Sequence, residues 1–143
     1  MQRYFVQDIK DNTFTLNIDD SYHIIKVMRM AINDEIEIVY NHKCYIAKII
    51  NISSPIKAII KKELLDEFAL PNITIAQSLI KEQKMDYVIQ KTTELGVNNI
   101  NPLKTNRSII NIDKKSDNKI NRWQKIAKEA SEQSKRLDIP EID

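Results

Sequence analysis

Glycine is nearly missing from this chain: Gly96 is the only one in 143 residues. Loops that wrap phosphates or nucleotide cofactors need several, because glycine alone combines positive φ with close backbone approach. A dinucleotide fingerprint and a P-loop are therefore excluded, and any cofactor loop of that kind must lie outside this chain. Cysteine is as scarce. Cys44 is alone, so no internal disulfide can form and a buried, inert thiol is expected. His23 and His42 have no cysteine or carboxylate cluster at ligand spacing, so no metal site is predicted. No apolar run approaches the length of a membrane span, and Met1 to Asp8 lacks the apolar stretch of a secretory signal. These absences predict a cytoplasmic protein with no part in a membrane.

What is present is charge, unevenly placed. The net charge of +2 says little. Between Lys104 and Lys128, however, Lys104, Arg107, Lys114, Lys115, Lys119, Arg122, Lys125 and Lys128 face only Asp113 and Asp117. Such a patch can neutralise phosphates, although a solvated loop and helix face would have the same composition.

Residues 1 to about 68 read as β-rich. Arg3 to Val6 and Thr13 to Ile18 are short strand candidates, and Glu35 to Tyr40 alternates polar and apolar as a half-buried strand does. Asn41 to Lys43 reads as a hairpin turn into a strand from Cys44 to Ile50, with another strand from Ile56 to Lys61. Between them Ser21 to Met30 has Ile24, Val27 and Met28 at helical spacing after a possible Ser21 cap. Several short strands with one helix suggest a small, partly closed β-barrel.

The pattern changes after Leu64 to Asn72. Ile73 to Ala76 reads as a strand buried on both faces. A helix follows, with Met85, Val88, Ile89, Thr92 and Leu95 on one side, and Gly96 ends it in a left-handed conformation. Val97 to Pro102 is the next strand, so a parallel pair is expected. The last helix is predicted over Lys119 to Leu137. Trp123, Ile126, Ala127, Ala130, Ser134 and Leu137 share its packed face, and Arg122, Lys125, Glu129, Glu132, Gln133 and Arg136 a charged one. On pattern alone that charged face reads as solvated.

The motifs Arg3-Tyr4-Phe5-Val6, His23 with Val27-Met28-Arg29-Met30, Asp34-Glu35-Ile36, Ile75-Ala76-Gln77-Ser78-Leu79 and Lys84-Met85 occur in order. They are followed by Gln90-Lys91, Thr93-Glu94-Leu95-Gly96-Val97, Arg107-Ser108, Arg122-Trp123, Glu129-Ala130, Glu132-Gln133-Ser134, Arg136 and Ile139-Pro140. In this order and spacing the chain resembles RsmE, the bacterial 16S ribosomal RNA uracil-N3 methyltransferases. Asn33 stands where that family commonly has glycine before Asp34, and Glu82 where a glycine often precedes Lys84; asparagine tolerates the same left-handed turn.

The resemblance implies an α+β protein. A PUA-like RNA-binding β-barrel over 1–68 would precede, over 72–143, the opening β-α-β-α part of a SPOUT methyltransferase domain. The S-adenosylmethionine site of the family lies in a knot expected beyond residue 143, so the isolated chain is predicted to be inactive. The resemblance also implies methylation of uridine N3 in 16S ribosomal RNA, a role in ribosome biogenesis, and a homodimer. It places Arg3, His23, Arg29, Arg107, Ser108, Arg122, Glu132, Gln133 and Arg136 towards RNA or the cleft. Arg107 is the candidate for orienting the substrate base; no residue is named as general base. The alternatives are a noncatalytic RNA-binding module and an interaction protein without nucleic acid.

Overall fold

The structure is a computed structural model that describes residues 1–65, 71–106 and 116–143. The chain divides into two compact units, Met1–Phe68 and Ala69–Asp143, each with its own core.

The first unit is a six-stranded sheet with one short helical segment. Its strands are β1 (Arg3–Phe5), β2 (Asp8–Lys10), β3 (Thr13–Thr15), β4 (Glu35–Tyr40), β5 (Lys43–Asn51) and β6 (Lys57–Leu64). The order is β1-β4-β5-β6-β3-β2, so β1 and β2 are the two edges and the sheet curls into a half-barrel. β1 runs parallel to β4, and the other pairs are antiparallel. Two hairpins turn on paired positive-φ residues, Asp11 with Asn12 and Asn41 with His42, as the right-handed strand twist favours in two-residue loops. Register shifts between Ile46 and Ala47 and between Ile49 and Asn51 interrupt the β5 to β6 ladder, which increases local twist and helps the sheet curl.

Alternation builds the core. In β4, Ile36 and Ile38 point inward to Tyr4, Phe14, Leu16, Ile24, Ile49 and Ile56, while Glu35 and Glu37 stand on the other face. Cys44 is buried, as a small apolar thiol should be.

The helical segment differs from expectation. It consists of α1 (Ile18–Tyr22) running directly into a π-helical turn, His23–Val27. Asn17 is the cap, accepting the Asp20 N–H at 2.8 Å. Ser21, expected there, is buried inside the segment, and its Oγ accepts the Ile56 N–H at 3.0 Å. In the π turn the Met28 N–H reaches back to the His23 carbonyl. The wider repeat breaks the expected Ile24, Val27 and Met28 face: Ile24 is buried, whereas Val27 and Met28 are exposed.

The second unit comprises β7 (Thr74–Ser78), α2 (Glu82–Glu94), β8 (Asn99–Leu103), α3 (Ser116–Gln133) and β9 (Glu141–Ile142). Its three strands are parallel in the order β7-β8-β9. Register aligns Ile75, Ile100 and Ile142 in one row, and this row packs with Met85 and Ile89 of α2 and Trp123 and Ala127 of α3. β7 is not buried on both faces as expected. Thr74, Ala76 and Ser78 are exposed, because the two helices contribute one core layer and β7 is the outer strand.

Helix α2 ends at Gly96, whose φ is 101°. The Gly96 N–H bonds to the Thr93 carbonyl and the Val97 N–H to the Thr92 carbonyl, which together form a Schellman closure. Leu95, expected on the apolar face, is the cap residue and is exposed. α3 stops at Gln133, short of the predicted Leu137, and closes in the same way. There Lys135 takes φ 63° and the Arg136 N–H reaches the Ser131 carbonyl.

Candidate nucleic-acid interface

Strand alternation separates the first two candidates. Tyr4 faces the core, where its hydroxyl lies 2.9 Å from Nδ1 of His23. The two rings meet edge to face, with centroids 5.9 Å apart. One ring nitrogen of His23 is therefore occupied within the fold. Arg3 stands on the alternate face of β1, where its Nε donates to Glu37 Oε2 at 2.9 Å. The register sets these two residues directly opposite each other in the parallel pair. Arg3 is buried, so its charge holds β1 to β4. It does not lie open to phosphates.

Arg29 is different. It is exposed, with φ 51°, and forms the left-handed residue that ends the π turn. Lys26 is exposed on the same segment. On the sheet, Lys61 pairs with Glu35 at 2.6 Å and Lys43 with Glu63 at 3.2 Å. The hydrogen-bonded Lys61 ammonium holds the Glu35 carboxyl below its usual range, and Lys48 and Lys62 act in the same direction. The hydrogen bond that the Lys43 ammonium donates to Glu63 raises Lys43 correspondingly. These sheet lysines are partly neutralised, and Lys26 and Arg29 are the exposed cations of the helical edge.

In the second unit, Arg122 reaches both Glu82 and Asp86 on α2. One arginine thus ties α3 to α2, and the expected basic patch is locally neutralised there. Glu132 is buried with the Lys128 ammonium 3.5 Å away, which corrects the reading of that face as solvated at its C-terminal end. Gln133 is exposed. Arg107 and Ser108 lie outside the described residues.

Arg136 departs furthest from its expected place. It follows α3 instead of belonging to it, and it is buried. Its Nη1 donates to the carbonyls of Thr93 at 2.8 Å and Val97 at 2.7 Å. Nε and Nη2 engage Asp138 at 3.2 and 2.9 Å. A cation is favourable at the C-terminal end of α2, where carbonyl dipoles converge. The guanidinium fork satisfies carbonyls and carboxylate together. Asp138, which sequence reasoning missed, also accepts from Asn98 at 3.4 Å.

Open α/β sheets seat ligands beyond the C-terminal ends of their strands. Gly96 lies before β8, at the opposite end, and is engaged in closing α2. No described glycine is therefore available to line a cofactor loop at the strand ends. Among the described residues no group of histidine, cysteine and carboxylate could hold a metal ion, and no helix is long and apolar enough to cross a membrane.

A model of the RNA methyltransferase PUA domain matches residues 16–63, and one of the RNA methyltransferase domain matches residues 66–143. The ribosomal RNA small subunit methyltransferase E of Bacillus subtilis is 34% identical, over 99% of this chain and 59% of its own length. That of Buchnera aphidicola from Acyrthosiphon pisum is 40% identical, over 97% of this chain and 57% of its own. A crystal structure of the Neisseria gonorrhoeae ribosomal RNA small subunit methyltransferase E bound to S-adenosyl methionine matches with a TM-score of 0.89. Its identity is 29%, over 100% of this chain and 61% of that one. The chain spans less than two thirds of the length of these relatives. With one model over most of its half-barrel and another over its parallel-sheet unit, the chain belongs to the RNA methyltransferase family, and nearly its whole length is similar to ribosomal RNA small subunit methyltransferases E.

Proposed function

We propose that this chain is the RNA-binding unit and part of the catalytic domain of an enzyme that methylates uridine N3 in 16S ribosomal RNA. S-adenosylmethionine supplies the methyl group. The observation that carries this reading is the succession of PUA and RNA methyltransferase matches along one chain, aligned with relatives over nearly its whole length. The half-barrel docks on structured RNA, with Arg29 as its exposed phosphate contact. Its partners are the small ribosomal subunit and, in the assembled enzyme, a second copy; it works in the cytoplasm.

Reaction at N3 requires a uracil taken out of its stack, held in line with the donor and relieved of the N3 proton. An arginine suits the charge that develops on the ring, and Arg107, following β8, is the candidate for that orientation. No described carboxylate or histidine is assigned as the base.

Two measurements test this. Mapping of 16S ribosomal RNA from cells lacking the gene should show loss of one N3-methyluridine and its return on complementation; an unchanged modification pattern would overturn the assignment. Binding of structured ribosomal RNA to the chain should weaken with salt. Arg29→Glu should lower the slope of log affinity against log salt by about 0.7–0.9 per lost phosphate contact, whereas Lys10→Glu on the edge strand β2 should not.

A further inference from the structure

The outer side of α1 and the π turn has a composition that packing does not explain. Ile18, Tyr22, Val27 and Met28 are all exposed, Tyr22 to 62%. Lys26 and Arg29 stand exposed among them. Tyr22 and Lys26 lie close to one turn apart in either helical repeat, hence on one side of the segment. The inward side is already served by Ile24, Ile25 and Met30, which pack on the half-barrel core. Val27 and Met28 are thus turned to solvent by the π turn itself, a device found frequently at functional sites.

We propose that Tyr22 is a stacking platform for an unpaired RNA base, with Lys26 and Arg29 on the adjoining phosphates. The inference rests on the RNA-binding reading above and names its contact surface. Charge decides between RNA and protein as occupant. The core of a protein interface is depleted in charge, whereas the exposed segment that carries this aromatic ring also carries two cations. An aromatic platform flanked by cations is the pattern that binds single strands, because every base has a π face. Of the acidic residues of the segment, Asp20 is buried in the Asn17 cap, the exposed Asp34 accepts the Ala31 N–H at 2.8 Å, and the exposed Asp19 lies about one turn before Tyr22, on the opposite side of it along the chain from Lys26 and Arg29.

The test titrates fluorescein-labelled single-stranded oligouridine, and an RNA duplex for comparison, with wild type, Tyr22→Phe and Tyr22→Ala at several salt concentrations. Tyr22→Ala should weaken binding to the single strand about tenfold and leave its salt slope unchanged, since stacking is uncharged. Tyr22→Phe should bind as wild type does, and the duplex should lose little. Equal single-strand affinity of Tyr22→Ala and wild type, with salt dependence retained, would overturn the platform and spare the RNA reading. Absence of salt-dependent binding to either RNA would overturn both. Loss of self-association in Tyr22→Ala by sedimentation, with RNA affinity unchanged, would assign the surface to a second copy and overturn the proposal. Because Tyr22 is exposed, thermal melts of the three proteins should coincide.

Discussion

Arg29 keeps a left-handed backbone that glycine would adopt with less strain. Asparagine, which tolerates such positions, occupies several others in this unit, including Asn12, Asn33 and Asn41. Arginine has no local hydrogen bond to offset the cost, so strain here points to use of the side chain. Arg29→Gly should therefore raise thermal stability by about 1 kcal/mol while weakening RNA binding. Lys135, the left-handed residue after α3, provides the comparison: Lys135→Gly should give a similar gain. Arg136 predicts the opposite. Arg136→Met removes the guanidinium donors of the Thr93 and Val97 carbonyls and leaves Asp138 without its cation. It should cost about 2–4 kcal/mol in urea unfolding, mainly for the carbonyl bonds lost, because Asp138 is partly exposed. Arg136→Lys should recover little, because one ammonium cannot span acceptors that the planar fork reaches together.

At the scale of elements, β4 was legible to the residue, since Glu35 to Ile38 alternates polar and apolar with Ile36 and Ile38 in the core. The end of α2 was equally plain from its glycine. The π turn was not, because α and π repeats diverge by less than one residue per turn, and a run of apolar side chains fits both. β9, with only two residues, has no period to detect. Arg136 was misplaced because its carbonyl partners stand 43 and 39 residues away along the chain; no local pattern encodes them. Pairing between elements also sets a pH response. Glu35 titrates below its ordinary value, so its pair with Lys61, which spans β5, contributes above the unfolded pKa and is lost as pH falls through the folded one. Lys43 titrates above its ordinary value, so its pair with Glu63 contributes below the unfolded pKa and is lost as pH rises through the folded one. Both pairs are exposed and their effects small. Urea midpoints for Glu35→Gln should decline less steeply in acid than those of wild type, and high salt should remove the difference.

For the whole molecule, the decisive fact is that each unit encloses its own core. Calorimetry of Arg136→Met should accordingly lower the transition of the second unit and leave that of the half-barrel in place; a common shift of all heat absorption would show that the units unfold as one. The placement of Arg136 also has a consequence in time. Synthesis proceeds at about 5–20 residues per second, so the 43 residues from Thr93 to Arg136 take about 2–9 s to add. During that interval the carbonyls at the end of α2 have only water for the bonds that Arg136 later makes. The half-barrel has by then left the ribosome with every strand it needs. Ribosome-arrested chains of increasing length should therefore show the half-barrel resisting protease first, and α2 gaining protection only once Arg136 has emerged from the exit tunnel.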